Sequence, residues 1–171
     1  FSQDVYDIGF TSSGKAYLVT KKSGVYASND LESWTSISEG IIDPRDPIAF
    51  LVEDSVLYVS FYFDGLYRYR PEKNFWRKLL IDGQYWEQYE YPARHPGGNL
   101  YLADKWSSVW VSNNSGDYWT RAPIGYKYIH SEIEDLKIHP SGTICIGSGD
   151  ATFAMVLDDT YTGESHRYYQ W

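Results

Sequence analysis

Short runs of apolar residues with a period of two, separated by turn residues, make up most of this chain. The period of two is seen at residues 16–19 and 57–60, and turn pairs such as Ser13-Gly14, Asp64-Gly65 and Gly97-Gly98 interrupt the runs. No stretch combines a helical period with capping residues. The pattern therefore predicts strands, four in the first repeating unit at about 5–11, 15–21, 24–28 and 33–38.

The strand pattern repeats about every 43 residues. A column in the second strand of each unit holds Tyr17, Tyr58, Tyr101 and Cys145. A column in the third strand holds Tyr26, Tyr67, Trp110 and Ala154. The first three units close on Trp34, Trp76 and Trp119. Gly163 takes that place in the fourth unit, which predicts a degenerate end.

Four short strands per unit of this length are typical of propeller blades. The sequence therefore predicts an all-β fold, a β-propeller of four four-stranded antiparallel blades in one domain over residues 1–171. The predicted blades are about 5–38, 48–80, 88–122 and 133–171.

Two segments after the third strand resemble the Asp-box, S-x-D-x-G-x-x-W, of the sialidase-like (BNR) repeat propellers. The third unit matches with Ser112, Asn114 in place of Asp, Gly116 and Trp119. The first unit keeps Ser28, Asp30 and Trp34 but is one residue shorter. We expect the Asp or Asn side chain to cap backbone N–H groups of a hairpin turn, with the Trp packed between sheets. Because such boxes occur in glycosidases, lectins and non-catalytic scaffolds alike, the resemblance implies a fold and no particular activity.

Propellers of this family usually have six to eight blades, so four blades fit either a complete ring or part of a larger one. The repeat register runs from a first strand to a fourth strand, without the strand exchange that usually closes a ring. This favours a fragment, self-association, or a further chain that completes the propeller.

Composition and charge exclude several classes of function. The chain has 17 Tyr, 7 Trp and 7 Phe, and its net charge of −8 opposes binding to nucleic acid. No apolar run approaches the length of a membrane span, so no membrane insertion is predicted. The first residue is Phe1 rather than Met, as in a processed chain. We expect an extracellular or periplasmic protein.

Candidate binding residues lie in the connections between the second and third strands of a unit and between successive units. Both kinds of connection lie at one end of the blades. The connections between successive units are long, at 39–47, 80–87 and 122–131. Aromatic rings and polar groups there fit either packing at blade junctions, which is slightly favoured, or a platform for sugar rings. The candidate ligand-binding residues are Tyr62, Phe63, Asp64, Trp86, Glu87, Trp106, Tyr126, Tyr128 and His130.

A glycosidase needs two carboxylates at a fixed separation. The candidate acidic residues are Asp43, Asp46, Glu87, Glu90, Glu132 and Glu134, but a solvated channel or rim is the favoured explanation of them. His95-Pro96 and His139-Pro140 occupy equivalent turns, which indicates a structural role. Cys145 is the only cysteine, so it predicts neither a disulfide nor a thiol-rich metal site. No catalytic residue, metal or cofactor is assigned.

Three hypotheses remain open. The favoured one is a non-catalytic binding module for a carbohydrate or a protein partner. The alternatives are a glycoside hydrolase that uses paired carboxylates and a structural part of a larger propeller assembly.

Overall fold

The computed structural model describes residues 4–81, 89–104, 108–122, 133–148, 152–156 and 167–170. The first sheet contains β1 (Val5–Phe10), β2 (Ala16–Thr20), β3 (Gly24–Ser28) and β4 (Thr35–Ser36), and the second contains β5 (Pro47–Val52), β6 (Leu57–Phe61), β7 (Gly65–Arg70) and β8 (Phe75–Lys78). The third sheet contains β9 (Tyr89–Arg94), β10 (Leu100–Asp104), β11 (Val109–Ser112) and β12 (Thr120–Arg121). The fourth contains β13 (Ile133–Ile138), β14 (Thr143–Ser148), β15 (Thr152–Val156) and β16 (Arg167–Gln170).

Each sheet follows chain order, with consecutive strands as neighbours. The pairings with an assigned register are antiparallel, as tight hairpins require. The prediction of an all-β chain of four four-stranded antiparallel units is therefore confirmed. The outermost strands β4 and β12 have two residues each, so the prediction of 33–38 for the first of them was too long.

The strand register confirms the tryptophan column. In the first three sheets, the third-strand column residues Tyr26, Tyr67 and Trp110 pair with Ser36, Lys78 and Arg121. Each tryptophan of the column precedes that partner by two positions. Trp34, Trp76 and Trp119 therefore occupy equivalent places in their sheets.

The same register corrects the alignment of the fourth unit. Ile146, the residue after Cys145, pairs with Phe153, which in turn pairs with Gln170. The third-strand column therefore holds Phe153 rather than Ala154, and the tryptophan column holds Tyr168 rather than Gly163. The prediction that Gly163 takes this place was wrong, because a fixed count along the chain does not allow for a longer connection between β15 and β16. The fourth unit still departs from the column, since it has a tyrosine where the other three have tryptophan.

The chain divides into two compact units, Phe1–Glu90 and Tyr91–Trp171. In the first unit, Tyr17 and Val19 of β2 pack against residues of the second sheet such as Val59, Tyr67 and Trp76. In the second unit, residues of the third and fourth sheets form a core that includes Tyr101, Ala103, Val109, Leu136, Ile144 and Ile146. A single domain over 1–171 stays a prediction.

The two turns whose sequences resemble the Asp-box have the capping geometry that the sequence predicts. Asp30 Oδ1 accepts hydrogen bonds from the N–H groups of Glu32 and Ser33, at 2.9 and 2.8 Å. In the third sheet the amide oxygen of Asn114 accepts one from the N–H of Tyr118, at 2.9 Å. These bonds lower the pKa of Asp30 to about 2, with the N–H of Ser33 the largest cause and that of Glu32 the next. The predicted caps are confirmed.

The turns between the first and second strands also follow the prediction. The ring Nδ1 atoms of His95 and His139 accept hydrogen bonds from the N–H two residues on, at 3.0 and 3.1 Å. His95 is buried, and its Nε2 also reaches the carbonyl oxygen of Gly142 in the turn of the next sheet, at 3.2 Å. In the first unit, the N–H and hydroxyl of Ser12 bond the carboxylate of Asp54 across the equivalent pair of turns, both at 2.6 Å.

Candidate functional site

A surface groove of about 320 Å³ in the first unit is the candidate site. It lies where the connection between the first two sheets enters β5 and where the turn after β6 passes close by. The lining residues come from both sheets: Tyr6, Lys21, Asp46, Pro47, Ile48, Tyr62 and Phe63. Five of these seven residues are apolar or aromatic, so the groove offers a mainly apolar wall with one charged residue of each sign.

Two groove residues are placed by irregularities in the strand ladder. The register of β1 with β2 shifts between Val5 and Asp7, leaving Tyr6 outside the ladder. The register of β5 with β6 shifts in the same way around Ile48. A bulge of this kind re-aims a side chain while the strands on either side remain paired. Both bulged residues line the groove, and the hydroxyl of Tyr6 donates to the carbonyl oxygen of Ile48 at 2.5 Å.

Backbone hydrogen bonds join the segments that form the groove. The N–H of Asp46 donates to the carbonyl oxygen of Lys21 at 3.1 Å, and the carbonyl oxygen of Asp46 accepts from the N–H of Tyr62 at 2.9 Å. Asp46 has φ of 51°, in the left-handed region that side chains other than Gly rarely adopt. The backbone that carries the Asp46 carboxylate is therefore held on both sides in an uncommon conformation.

Aromatic rings form one wall of the groove. The rings of Tyr62 and Phe63 meet edge to face, with centroids 4.7 Å apart. Phe63 is 60% exposed and Tyr6 is 41% exposed. Large apolar surfaces open to water at the rim of a concave site can bury a ligand group at a gain in free energy.

Asp64 lies behind this wall and not in the groove. It is buried, and its carboxylate accepts hydrogen bonds from the Tyr67 hydroxyl at 2.6 Å, the N–H of Asp43 at 2.9 Å and the Lys78 ammonium at 2.7 Å. Burial, followed by the Asp64 carboxylate, raises the pKa of Tyr67. Asp64 therefore fixes the 39–47 connection that carries Asp46, and its place is structural.

The structure brings together some of the sequence-predicted residues. Tyr62 and Phe63 meet Asp46 in the groove, as expected if these connections lie at one end of the sheets. The remaining ligand-binding candidates lie outside the described residues: Trp86, Glu87, Trp106, Tyr126, Tyr128 and His130. Their role as binding residues stays a prediction. Tyr6, Lys21, Pro47 and Ile48 carry no sequence signal of a binding role, although strand direction places all four at the same end of their sheets.

The acidic candidates have different surroundings. The Asp43 carboxylate pairs with the Arg45 guanidinium at 2.6 Å, and the hydrogen bond from Arg45 lowers the pKa of Asp43. Asp46 lines the groove, Glu134 is exposed in β13, and Glu87 and Glu132 lie outside the described residues. In the described ranges, no cluster of three His, Cys, Asp or Glu could hold a metal ion. Nor does that part of the chain contain a helix long and apolar enough to cross a membrane.

The chain has a β-propeller fold, made of four four-stranded blades. No protein-family model matches its sequence, and no curated protein matches it. Among solved structures, it is similar to the extracellular domain of a hybrid two-component system from B. thetaiotaomicron, with a TM-score of 0.71 and 12% identity over 98% of this chain and 21% of that one.

Two further propeller structures are similar to the chain. A GH74 xyloglucanase from Xanthomonas campestris has a TM-score of 0.73 and 16% identity, over 98% of this chain and 30% of that one. YCF48 bound to D1 peptide has a TM-score of 0.69 and 11% identity, over 98% of this chain and 55% of that one. The chain therefore spans between a fifth and about half of these structures. At these identities the likeness concerns the fold alone.

Proposed function

We propose that this chain is a non-catalytic interaction module that binds a protein partner by holding an apolar side chain of that partner in the groove. The observation that carries the proposal is the mainly apolar lining beside the exposed ring of Phe63. Sugar recognition requires many hydrogen-bonding groups around a stacking ring. Pro47 and Ile48 supply aliphatic surface, which suits a Leu, Phe or Trp side chain better.

The proposal fits an extracellular or periplasmic protein, since one similar structure is an extracellular domain. The aliphatic lining favours a protein partner over a carbohydrate, although the sequence left both open. A glycoside hydrolase receives less support, because Asp43 is bound by Arg45 and only Asp46 of that pair lines the groove. Self-association and completion by another chain stay predictions.

The first test is selection of a random 12-residue peptide library on the whole chain, with a glycan array run in parallel. We expect selected peptides to share one large apolar residue. Phe63→Ala should weaken their binding by about 10- to 150-fold, since burial of a Phe side chain is worth about 1.5–3 kcal/mol.

Tyr118→Ala is the matched control, because Tyr118 is 66% exposed and lies in the second unit. It should leave binding unchanged. Binding to glycans alone, with the same dependence on Phe63, would replace the protein partner by a sugar. Selected peptides that bind Phe63→Ala as tightly as the wild type would reject the groove as the binding site.

A further inference from the structure

Two charged residues of opposite sign, Lys21 and Asp46, line the groove. The charge of Asp46 is also one of the smaller causes that raise the pKa of Arg45. Within the described residues, the Lys21 ammonium and the Asp46 carboxylate each make neither a hydrogen bond nor an ion pair. The charges nearby behave differently. Arg45 pairs with Asp43 at 2.6 Å, and Lys78 pairs with Asp64 at 2.7 Å.

The backbone holds Lys21 and Asp46 in place. The N–H of Lys21 donates to the carbonyl oxygen of Asp4 at 2.9 Å, while its own carbonyl oxygen accepts from Asp46 at 3.1 Å. Asp46 keeps its left-handed φ of 51° because the Lys21 and Tyr62 segments fix it from both sides. Uncommon backbone conformations that the surroundings enforce concentrate at binding sites. A ligand therefore meets two charges whose attachment points are already ordered, which reduces the entropy lost on binding.

These observations define the ligand chemistry more closely than the apolar wall does. We infer that the groove binds a peptide segment in which a large apolar residue lies between an acidic and a basic residue, the acidic one facing Lys21 and the basic one facing Asp46. This inference rests on the proposed function. A uniformly acidic segment is disfavoured by the chain's net charge of −8, and a uniformly basic one leaves Lys21 opposed by a like charge.

The test uses four synthetic heptapeptides and the whole chain. The mixed peptide is acetyl-Ser-Asp-Gly-Trp-Gly-Lys-Ser-amide, and its three relatives carry two Asp, two Lys or two Gln at the charged positions. Fluorescence anisotropy at about 0.05 and 0.15 M salt measures their affinities. We expect the mixed peptide to bind more tightly than the Gln peptide by about 2- to 5-fold for each charge, the range for exposed ion pairs.

Substitutions assign the charges to residues. Lys21→Glu should shift the preference from the mixed peptide to the Lys peptide. Asp46→Asn and Asp46→Gly should each remove the gain in affinity that the peptide's Lys provides. Both replacements, Asn and Gly, tolerate a left-handed backbone. Lys22→Glu makes the same charge change at the exposed neighbouring residue. It should leave the ranking of the four peptides by affinity unchanged.

The outcomes separate this inference from the proposed function. If all four peptides bind equally and Phe63→Ala still weakens binding, the apolar site stands and the charge assignment is rejected. The charge assignment is equally rejected if Lys22→Glu changes the preference as much as Lys21→Glu, because the effect then belongs to the general field of the protein. If no peptide binds, or if Phe63→Ala has no effect on binding, the proposed function itself fails.

Discussion

Asp30 and Asn114 perform the same capping task with and without a charge. Each accepts backbone N–H bonds through one side-chain oxygen, and in each box the serine hydroxyl two residues earlier donates to that oxygen, at 2.9 and 2.8 Å. In the shorter box of the first sheet, Leu31 has φ of 64°, the conformation that Ser115 adopts in the third sheet with φ of 58°. The two turns therefore share their first left-handed residue, and the longer one adds Gly116.

The charge of Asp30 should make part of the stability depend on acid. Its folded pKa is about 2 against a usual value of 3.8, so its contribution is complete above about pH 4 and is lost as the pH falls through 2. Asp30→Asn keeps an oxygen acceptor, as Asn114 does, but loses the charge. We expect a lower free energy of unfolding than the wild type at pH 7 and a smaller decline between pH 4 and 2, measured by urea unfolding.

Glu32→Gln is the control for this substitution, because it removes one negative charge from the same exposed turn without removing the cap. It should leave the wild-type decline between pH 4 and 2 in place. An undiminished decline in Asp30→Asn would show that the cap does not discriminate between the ionised and protonated carboxyl group.

At the scale of elements, the turn chemistry was readable from the sequence and the strand lengths were not. The Ser-x-Asp and Ser-x-Asn segments predict local hydrogen bonds, because those partners lie within a few residues of each other. The His-Pro pairs indicated only a structural role, since the partner of His95 in the next sheet is distant in sequence. The last strand of a sheet pairs with only one neighbour, so tertiary contacts rather than local pattern decide its length. The columns of the fourth unit were misassigned for a related reason. Phe153 and Tyr168 take their column positions from cross-strand pairing, and a count of residues along the chain does not contain this information.

Gly40 shows how closely the connection after β4 approaches the second sheet. It has φ of 99°, and an added Cβ would overlap the carbonyl oxygen of Trp76. The N–H and the indole N–H of Trp76 donate to the carbonyl oxygens of Glu39 and Ile37, at 2.8 and 2.7 Å. The connection therefore cannot move away without breaking both bonds.

Gly40→Ala should lower the free energy of unfolding by about 2–5 kcal/mol, from the left-handed backbone and the steric overlap together. Gly14→Ala is the matched control. Gly14 has φ of 84° and nothing within 4 Å of an added Cβ, so only the backbone cost of about 1–2 kcal/mol applies. Chemical denaturation of both variants gives the difference. Equal losses would mean that the connection relaxes away from Trp76.

On the scale of the whole molecule, hydrogen bonds between the turns of consecutive sheets join blades within each unit. Ser12 and Asp54 form this link in the first unit, and His95 and Gly142 form it in the second. The bonds from Ser12, with its hydroxyl the larger cause, lower the pKa of Asp54. The groove depends on the same relation between sheets, since its lining comes from both sheets of the first unit. Sequence alone suggested Tyr62, Phe63 and Asp46, whereas Lys21 and Ile48 entered the site only through contacts between strands.

The link in the second unit can be tested with a pair of equivalent histidines. His95→Asn and His139→Asn both keep an acceptor for the N–H two residues on, but only the first loses a bond to the next sheet. We expect His95→Asn to reduce the free energy of unfolding by about 1–3 kcal/mol. His139 is exposed, and its replacement should change stability by less than about 0.5 kcal/mol. Thermal and urea unfolding compare the two, and equal effects would refute a stabilising role for the link.

The bulges in β1 and β5 also affect how the groove can change during evolution. Tyr6 and Ile48 take no part in the ladder register, and the register of β13 shifts in the same way around Glu134. Mutation at these places alters what a groove presents while leaving the paired residues on either side untouched. Changes to the surface of the groove and selection for folding therefore act on separate residues, so the groove can diversify on an unchanged blade.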